Sequence, residues 1–292
     1  MSGLKLITAM ITPYNDKLEV NYDQAAALAR YLIANGSDGL VVSGTTGESP
    51  VLSREEKVEL FTVVKQAVGK DVEVWAGTGS YNTRDSIELS QAAEKTGVNG
   101  LLLVNPYYNK PSQEGMYQHF IAIAKSVSIP VMLYNIPGRT GVNLLPDTVA
   151  RLAEAENIIA IKEASRNMDQ VSQLQATLGH RMTILSGDDS MTLPMLALGA
   201  KGVVSIASHI IGNEIKQMLN AFASGDHAKA LEIHCYLFPM FKGLFINTNP
   251  IPVKEALNML GIETGGFRLP LCHASQNEME SIRSLLQNYK LL

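Results

Sequence analysis

Eight short apolar runs punctuate the first two thirds of the chain: KLITAMITP (5–13), GLVVSG (39–44), VEVWAGTG (72–79), GLLLVNP (100–106), PVMLYNIP (130–137), IIAIKEAS (158–165), MTILSGDD (182–189) and GVVSIAS (202–208). Each is β-branched or aliphatic and closes on Gly, Pro, Ser, Asn or Asp, the pattern of a parallel strand buried on both faces. Polar–apolar stretches of helical period lie between them, and some carry clear start signals. SREEKVELFTVVKQAV begins at Ser53 and SQEGMYQHFIAIAKSV at Ser112, each with a serine placed to cap the first turn.

Eight strand–helix units in series predict an α/β fold, a (β/α)8 TIM barrel over residues 1–224. Residues 225–292 carry three more helical patterns and no strand, which predicts a C-terminal helical extension packed on the barrel. A doubly wound open sheet shares the alternation, but no GxGxxG fingerprint supports it.

Composition narrows the function without deciding it. The chain has 292 residues, a formal net charge of −4, 46% apolar and 18% charged residues, all ordinary for a soluble globular protein. Mild acidity argues against nucleic acid or an anionic membrane as a partner. No leader and no membrane span are expected from the apolar runs, and two cysteines, Cys235 and Cys272, fit a reducing cytoplasm. The six histidines form neither HxxxH nor HExxH, so no protein-built metal site is expected.

In such a barrel the chemistry sits where strands end and βα loops begin. Those positions carry Thr12, the turn GTTGES (44–49), Gly77 and Gly79, Asn105, Tyr107 and Tyr108, Tyr134 and Asn135, Arg139, Lys162 and Glu163, and Gly187 and Asp188. Lys162 follows four apolar strand residues. Desolvation there disfavours the ammonium, and a neutral amine is a nucleophile for a carbonyl. A lone strand-end lysine more often snorkels to water; the hydroxyls, arginine and glycine-rich turns around this one favour chemistry. GTTGES lacks the lysine of a P-loop. Its N–H groups and threonine hydroxyls suit a small carboxylate, and equally suit a tight turn capping the next helix. Arg139 suits a second carboxylate, or a surface ion pair. Asp188 and Asp189 lack a third ligand and are expected to cap their loop. Together these residues predict a Schiff-base aldolase acting on a 2-oxo acid.

The segments GTTGES, PYYNKPSQEGMYQHF, YNIPGRTG, IKEAS, LSGDD and NPIPVKEALNMLG, in order and at matching spacing, resemble the dihydrodipicolinate synthase family, within the N-acetylneuraminate lyase superfamily of class I aldolases. Gly138 departs from the serine often found there. The resemblance implies condensation of pyruvate with L-aspartate 4-semialdehyde, the first committed step of the diaminopimelate route to lysine, with no metal or organic cofactor. It implies Lys162 as the Schiff-base residue. A proton relay of Tyr134, Thr45 and Tyr108 goes with it, Tyr108 reaching in from a neighbouring subunit of a dimer of dimers. Thr46 and the Thr45 backbone would hold pyruvate, Arg139 the semialdehyde carboxylate, and Gly187 and Val204 would offer backbone near the substrate. A relative acting on sugar acids would keep Lys162 and Tyr134 without needing Arg139, and a binding protein would need no buried nucleophile.

Some members of the family bind lysine as a feedback inhibitor in an interface cleft. By motif position that cleft would use Ser49, Pro50, Arg54, Lys57, Tyr81, Asp85 and Tyr107. Arg54 and Lys57 add two positive charges on one helix face, where strongly responding members have other residues, so weak or no inhibition is expected.

Overall fold

Parallel strands β1 (Lys5–Ala9), β2 (Gly39–Val42), β3 (Glu73–Gly77), β4 (Gly100–Val104), β5 (Val131–Asn135), β6 (Ile158–Glu163), β7 (Thr183–Ser186) and β8 (Gly202–Ser205) close in chain order, β8 pairing back onto β1. This is a computed structural model, and it describes residues 3–292. Every strand stops short of its apolar run, by as much as four residues at β1. The cut-off residues leave the ladder as βα loops, where the backbone must bend to turn its polar groups toward the barrel mouth.

Helices α1 (Tyr22–Ala34), α2 (Arg54–Val68), α3 (Thr83–Glu94), α4 (Gln113–Ala124), α5 (Pro137–Thr140), α6 (Pro146–Leu152), α7 (Met168–Leu178), α8 (Thr192–Ala197) and α9 (Ser208–Ala223) return the chain between strands and after β8. The serine caps expected at α2 and α4 are present. Ser53 forms a full capping box with Glu56, and Ser112 accepts from the Gly115 N–H.

Strand alternation divides the core in two. One cluster fills the barrel: Ile7, Ala9, Val41, Trp75, Leu102, Met132, Tyr134, Ala160, Leu185 and Val204. A larger one lies between strands and helices and takes in Leu6, Leu40, Phe61, Leu103, Phe120 and Ile161. A register shift where β5 meets β6 pairs Val131 with Ile158 and then Met132 with Ala160, skipping Ile159. Beyond it Tyr134 pairs with Lys162 and Asn135 with Glu163.

The extension forms α10 (His227–Gly243), α11 (Ile251–Met259) and α12 (Gln276–Asn288). Its buried residues Ala230, Leu237, Phe241, Val253, Leu257 and Ile282 join the same large cluster as the barrel helices. The boundary expected after 224 falls in the turn between α9 and α10.

Candidate active site

Lys162 faces inward because it stands two residues from Ala160, which fills the barrel. Its neighbour Glu163 faces outward, into the helix layer. There the Glu163 carboxylate accepts from Asn135 Nδ2 at 3.0 Å, Gln170 Nε2 at 3.1 Å and the Ser165 N–H at 2.6 Å. Two ionisable neighbours in sequence therefore lie on opposite faces of one strand, and the lysine gains no ion pair from the glutamate.

Lys162 is 5% exposed, and its Nζ lies 4.1 Å from the centroid of the Tyr134 ring. Among the described residues no carboxylate comes within ion-pair distance of it. Burial pulls the amine down to about 7; the Asp189 carboxylate opposes the fall and the Arg139 guanidinium adds to it. Asp189 is itself buried and held by the Ser205 hydroxyl and the N–H groups of Ile206 and Ala207 at 3.0 and 3.1 Å. Asp188 accepts from the Ser190 N–H and pairs with Arg166 Nε at 2.6 Å. Both aspartates thus hold loops, in keeping with the capping role expected for them. Among the described residues no group of three His, Cys, Asp or Glu could hold a metal.

Gly187 is required where it stands. A Cβ there would come within 2.8 Å of the Ala164 Cβ and 3.1 Å of two carbons of the Lys162 chain, which lies across this glycine. Tyr134 is 4% exposed, and burial pushes its phenol up to about 12 against the opposing pull of Arg139 and of the Thr45 hydroxyl. A phenol with so high a pKa stays protonated, so it exchanges protons only in concert with a partner.

The GTTGES turn carries the polar floor. Among the described residues the N–H groups of Thr45, Thr46 and Gly47 meet no acceptor, whereas those of Glu48 and Ser49 close onto Thr45 O and Gly44 O. Successive free N–H groups of this kind bind anions. The Thr46 hydroxyl accepts from Asn249 Nδ2 at 2.9 Å, which leaves its own proton to donate. Arg139, on the single turn α5, reaches the Asn249 carbonyl with Nη2 at 3.5 Å.

Thr45, Thr46, Tyr134, Arg139, Lys162 and Gly187 therefore line one pocket of about 400 Å3, with a cationic and a hydrogen-bonding wall. Thr45, Tyr134 and Arg139 also line an adjoining cavity of about 210 Å3 that extends to Ser49, Pro50 and Tyr107.

The model of the dihydrodipicolinate synthetase family matches residues 3–289. The chain belongs to this family. It is 58% identical over 288 residues to the 4-hydroxy-tetrahydrodipicolinate synthase of Desulforudis audaxviator, covering 99% of this chain and 98% of that protein. The crystal structure of dihydrodipicolinate synthase from Aquifex aeolicus superposes with a TM-score of 0.96 at 45% identity, over 99% of this chain and 98% of that one. The enzyme from Cyanidioschyzon merolae, crystallised with lysine bound, gives 0.97 at 45% identity, over 99% and 98%.

Tyr108 is 90% exposed, with φ at +66°, and lines neither cavity. Val204, expected to offer backbone near the substrate, is buried in the barrel interior, and Ile206, two residues on, lines the pocket.

Six of the seven cleft residues, Pro50, Arg54, Lys57, Tyr81, Asp85 and Tyr107, line a separate cavity of about 520 Å3; Ser49 lies in the adjoining one. The two cations expected in the cleft meet a further carboxylate besides Asp85. Glu88 also lines the cleft, with Arg54 at 4.0 Å and Arg84 at 3.1 Å, and burial lowers the Lys57 ammonium from its ordinary value. Glu88 sits one helix away, on α3, and no spacing within α2 reveals it.

Sequence reasoning also missed Asn249, which touches both Thr46 and Arg139, and the pocket residues Phe245 and Thr248. The one signal for Asn249 was the NPIPVKEALNMLG segment, which it opens; Phe245 and Thr248 lie just before that segment and carried none.

Proposed function

We propose that this enzyme condenses pyruvate with L-aspartate 4-semialdehyde to 4-hydroxy-tetrahydrodipicolinate through a Schiff base on Lys162. The observation that carries the reading is a buried amine with a pKa near 7, set over a tyrosine ring and beside an anion-binding turn. Pyruvate places its carboxylate on the Thr45 and Thr46 N–H groups and the Thr46 hydroxyl. Its C2 carbonyl then meets Lys162. The amine adds to C2, the carbinolamine loses water, and the imine withdraws electrons from the methyl group. Tyr134, with Thr45 beside it, relays the methyl proton as the enamine forms. The enamine carbon attacks the aldehyde of the second substrate, whose carboxylate meets Arg139, and the new alkoxide takes the relayed proton. The substrate's own amino group then adds to the imine carbon and expels Lys162, closing the ring. One water leaves in all, at the first imine.

The relay needs a route to solvent, and we assign it to Tyr108 of a second copy of this chain. What supports this is the exposure of Tyr108 on a loop that its own subunit leaves outside the pocket. A homo-oligomer, built as a dimer of dimers, follows from the same reading, as does the placing of this biosynthetic enzyme in the cytoplasm. No helix of the described residues is long and apolar enough to cross a membrane. Residues 225–292 act in this reading as an extension of the catalytic barrel that supplies Asn249 to its mouth. The cleft of Arg54, Lys57, Tyr81 and Asp85 is assigned to lysine, the ligand named for the Cyanidioschyzon merolae structure.

Borohydride reduction in the presence of pyruvate, followed by peptide mass spectrometry, tests the first step. A reduced pyruvyl adduct on Lys162 is expected, and consumption of the adduct when semialdehyde is added before reductant. Label on another residue, or none, overturns the mechanism.

A further inference from the structure

Glu48 and Lys254 form an ion pair at 2.9 Å in which both side chains are 0% exposed, and no step above uses it. Lys254 lies on α11 of the extension. Its ammonium spends all three protons: on Glu48 Oε1, on the Thr12 carbonyl at 3.1 Å and on the Gly266 carbonyl at 2.6 Å. The rings of Tyr14 and Phe267 cover it at 4.4 and 4.8 Å. The second Glu48 oxygen takes the Arg268 N–H at 3.4 Å. Burial alone pulls Lys254 down and Glu48 up, and each charge opposes the other's shift.

The partners of this pair converge on one object. Glu48 closes the 44–49 turn. Thr12 Oγ1 donates to the Gly47 carbonyl at 2.7 Å, and Asn249, six residues beyond the end of α10, donates to the Thr46 hydroxyl. Three consecutive residues of the turn are thus held from outside it. The turn needs holding, because Ser43 just before it and Glu48 within it stand at φ +57° and +54° without being glycines. Such conformations persist only where the surroundings over-determine them. Stability alone is a poor reason for the charges, since apolar residues of equal volume commonly replace a buried ion pair at no loss.

We propose that Lys254, Glu48 and Thr12 are positioning residues, a buried clamp by which the C-terminal extension holds the 44–49 turn in its carboxylate-binding form and so sets the affinity for pyruvate. The inference rests on the synthase reading of the site. It assigns the clamp to one substrate: Arg139 and the amine of Lys162 lie outside it.

The test is steady-state kinetics of the intact enzyme with pyruvate and semialdehyde varied in turn. Glu48→Gln/Lys254→Met removes both charges while keeping volume. A rise of about tenfold in KM for pyruvate is expected, equivalent to ~1.4 kcal/mol. Turnover at saturating pyruvate and KM for semialdehyde should stay within about twofold, inside the range of a contact that does not change. Thr12→Val, which keeps the ion pair and removes only the tie to Gly47, should give the same split more weakly, and Thr12→Ser should restore wild-type KM. These two variants decide the matter if the double variant does not fold. Folded variants with unchanged KM for pyruvate, or with a loss confined to turnover, overturn the clamp. Wild-type enzyme that fails to trap pyruvate overturns the synthase reading instead.

Discussion

Titrating the Schiff-base step isolates the feature on which the mechanism depends. Lys162 is drawn from 10.5 to about 7 by burial. That shift corresponds to about 5 kcal/mol against the buried ammonium. At pH 7.5 roughly three quarters of the enzyme then carries a free amine, against about one molecule in a thousand for an unperturbed lysine. The rate of borohydride-trapped adduct formation at limiting pyruvate should rise with pH, bend near 7 and level off above about 8. The neighbours set the direction of secondary shifts. Arg139→Gln removes a charge that lowers the amine and should move the bend to higher pH. Asp189→Asn removes one that raises it and should move the bend lower. Stability carries the same signature with opposite consequence. Between about pH 7 and 10.5 the unfolded chain binds the proton that the folded chain has lost, so the penalty is full below 7 and relieved as pH rises. Lys162→Met, close in volume and uncharged, should therefore abolish trapping yet raise the melting temperature, most of all below pH 7, by a gain approaching ~5 kcal/mol that shrinks by ~1.4 kcal/mol per pH unit above 7. A trapping profile with no bend below pH 9, or a Met variant no more stable than wild type at pH 6, refutes the picture of a desolvated amine.

Arg139→Ala should cost semialdehyde use ~1.5–3 kcal/mol, roughly ten- to 150-fold in kcat/KM, while leaving pyruvate trapping nearly intact; loss of trapping instead would mean the two carboxylate sites are assigned the wrong way round. Tyr108→Phe and Lys162→Ala subunits, each nearly inactive alone, should regain part of the activity when co-assembled, because one site of the mixed pair carries neither change; verified mixed dimers without recovery would count against a shared relay. L-lysine should inhibit only above about a millimolar, because its extra ammonium meets Lys57 and Arg54 while Glu88 is already engaged by Arg84; half-inhibition well below that, near saturating pyruvate, would show the charge argument to be mistaken.

The alternation of strand and helix was legible in the chain because hydrophobic period is local: a strand buried on both faces must be apolar throughout, and a helix must show its stripe, wherever they end up. Ser53 and Ser112 announced α2 and α4 because a cap is satisfied within three residues. Lys162 stood out for the same reason, as a charge in an apolar run. Its inward direction follows from its spacing to Ala160. The lysine that chemistry needs and the lysine that architecture needs were not separable in this way. Lys254 reads as an ordinary helix lysine, and becomes a fully buried charge only because α11 docks against the barrel mouth and brings it to Glu48 across 206 positions. Asn249 reaches Thr46 across 203. Glu88 enters the cleft from a neighbouring helix, Ile206 joins the pocket wall from the loop after the last strand, and Tyr108 is turned away from its own pocket by the course of one loop. Periodicity and capping are settled within a turn or two of the chain, whereas which buried charge receives a partner is settled by how distant segments pack. In this fold that difference leaves Lys254 a paired ammonium and Lys162 a free amine.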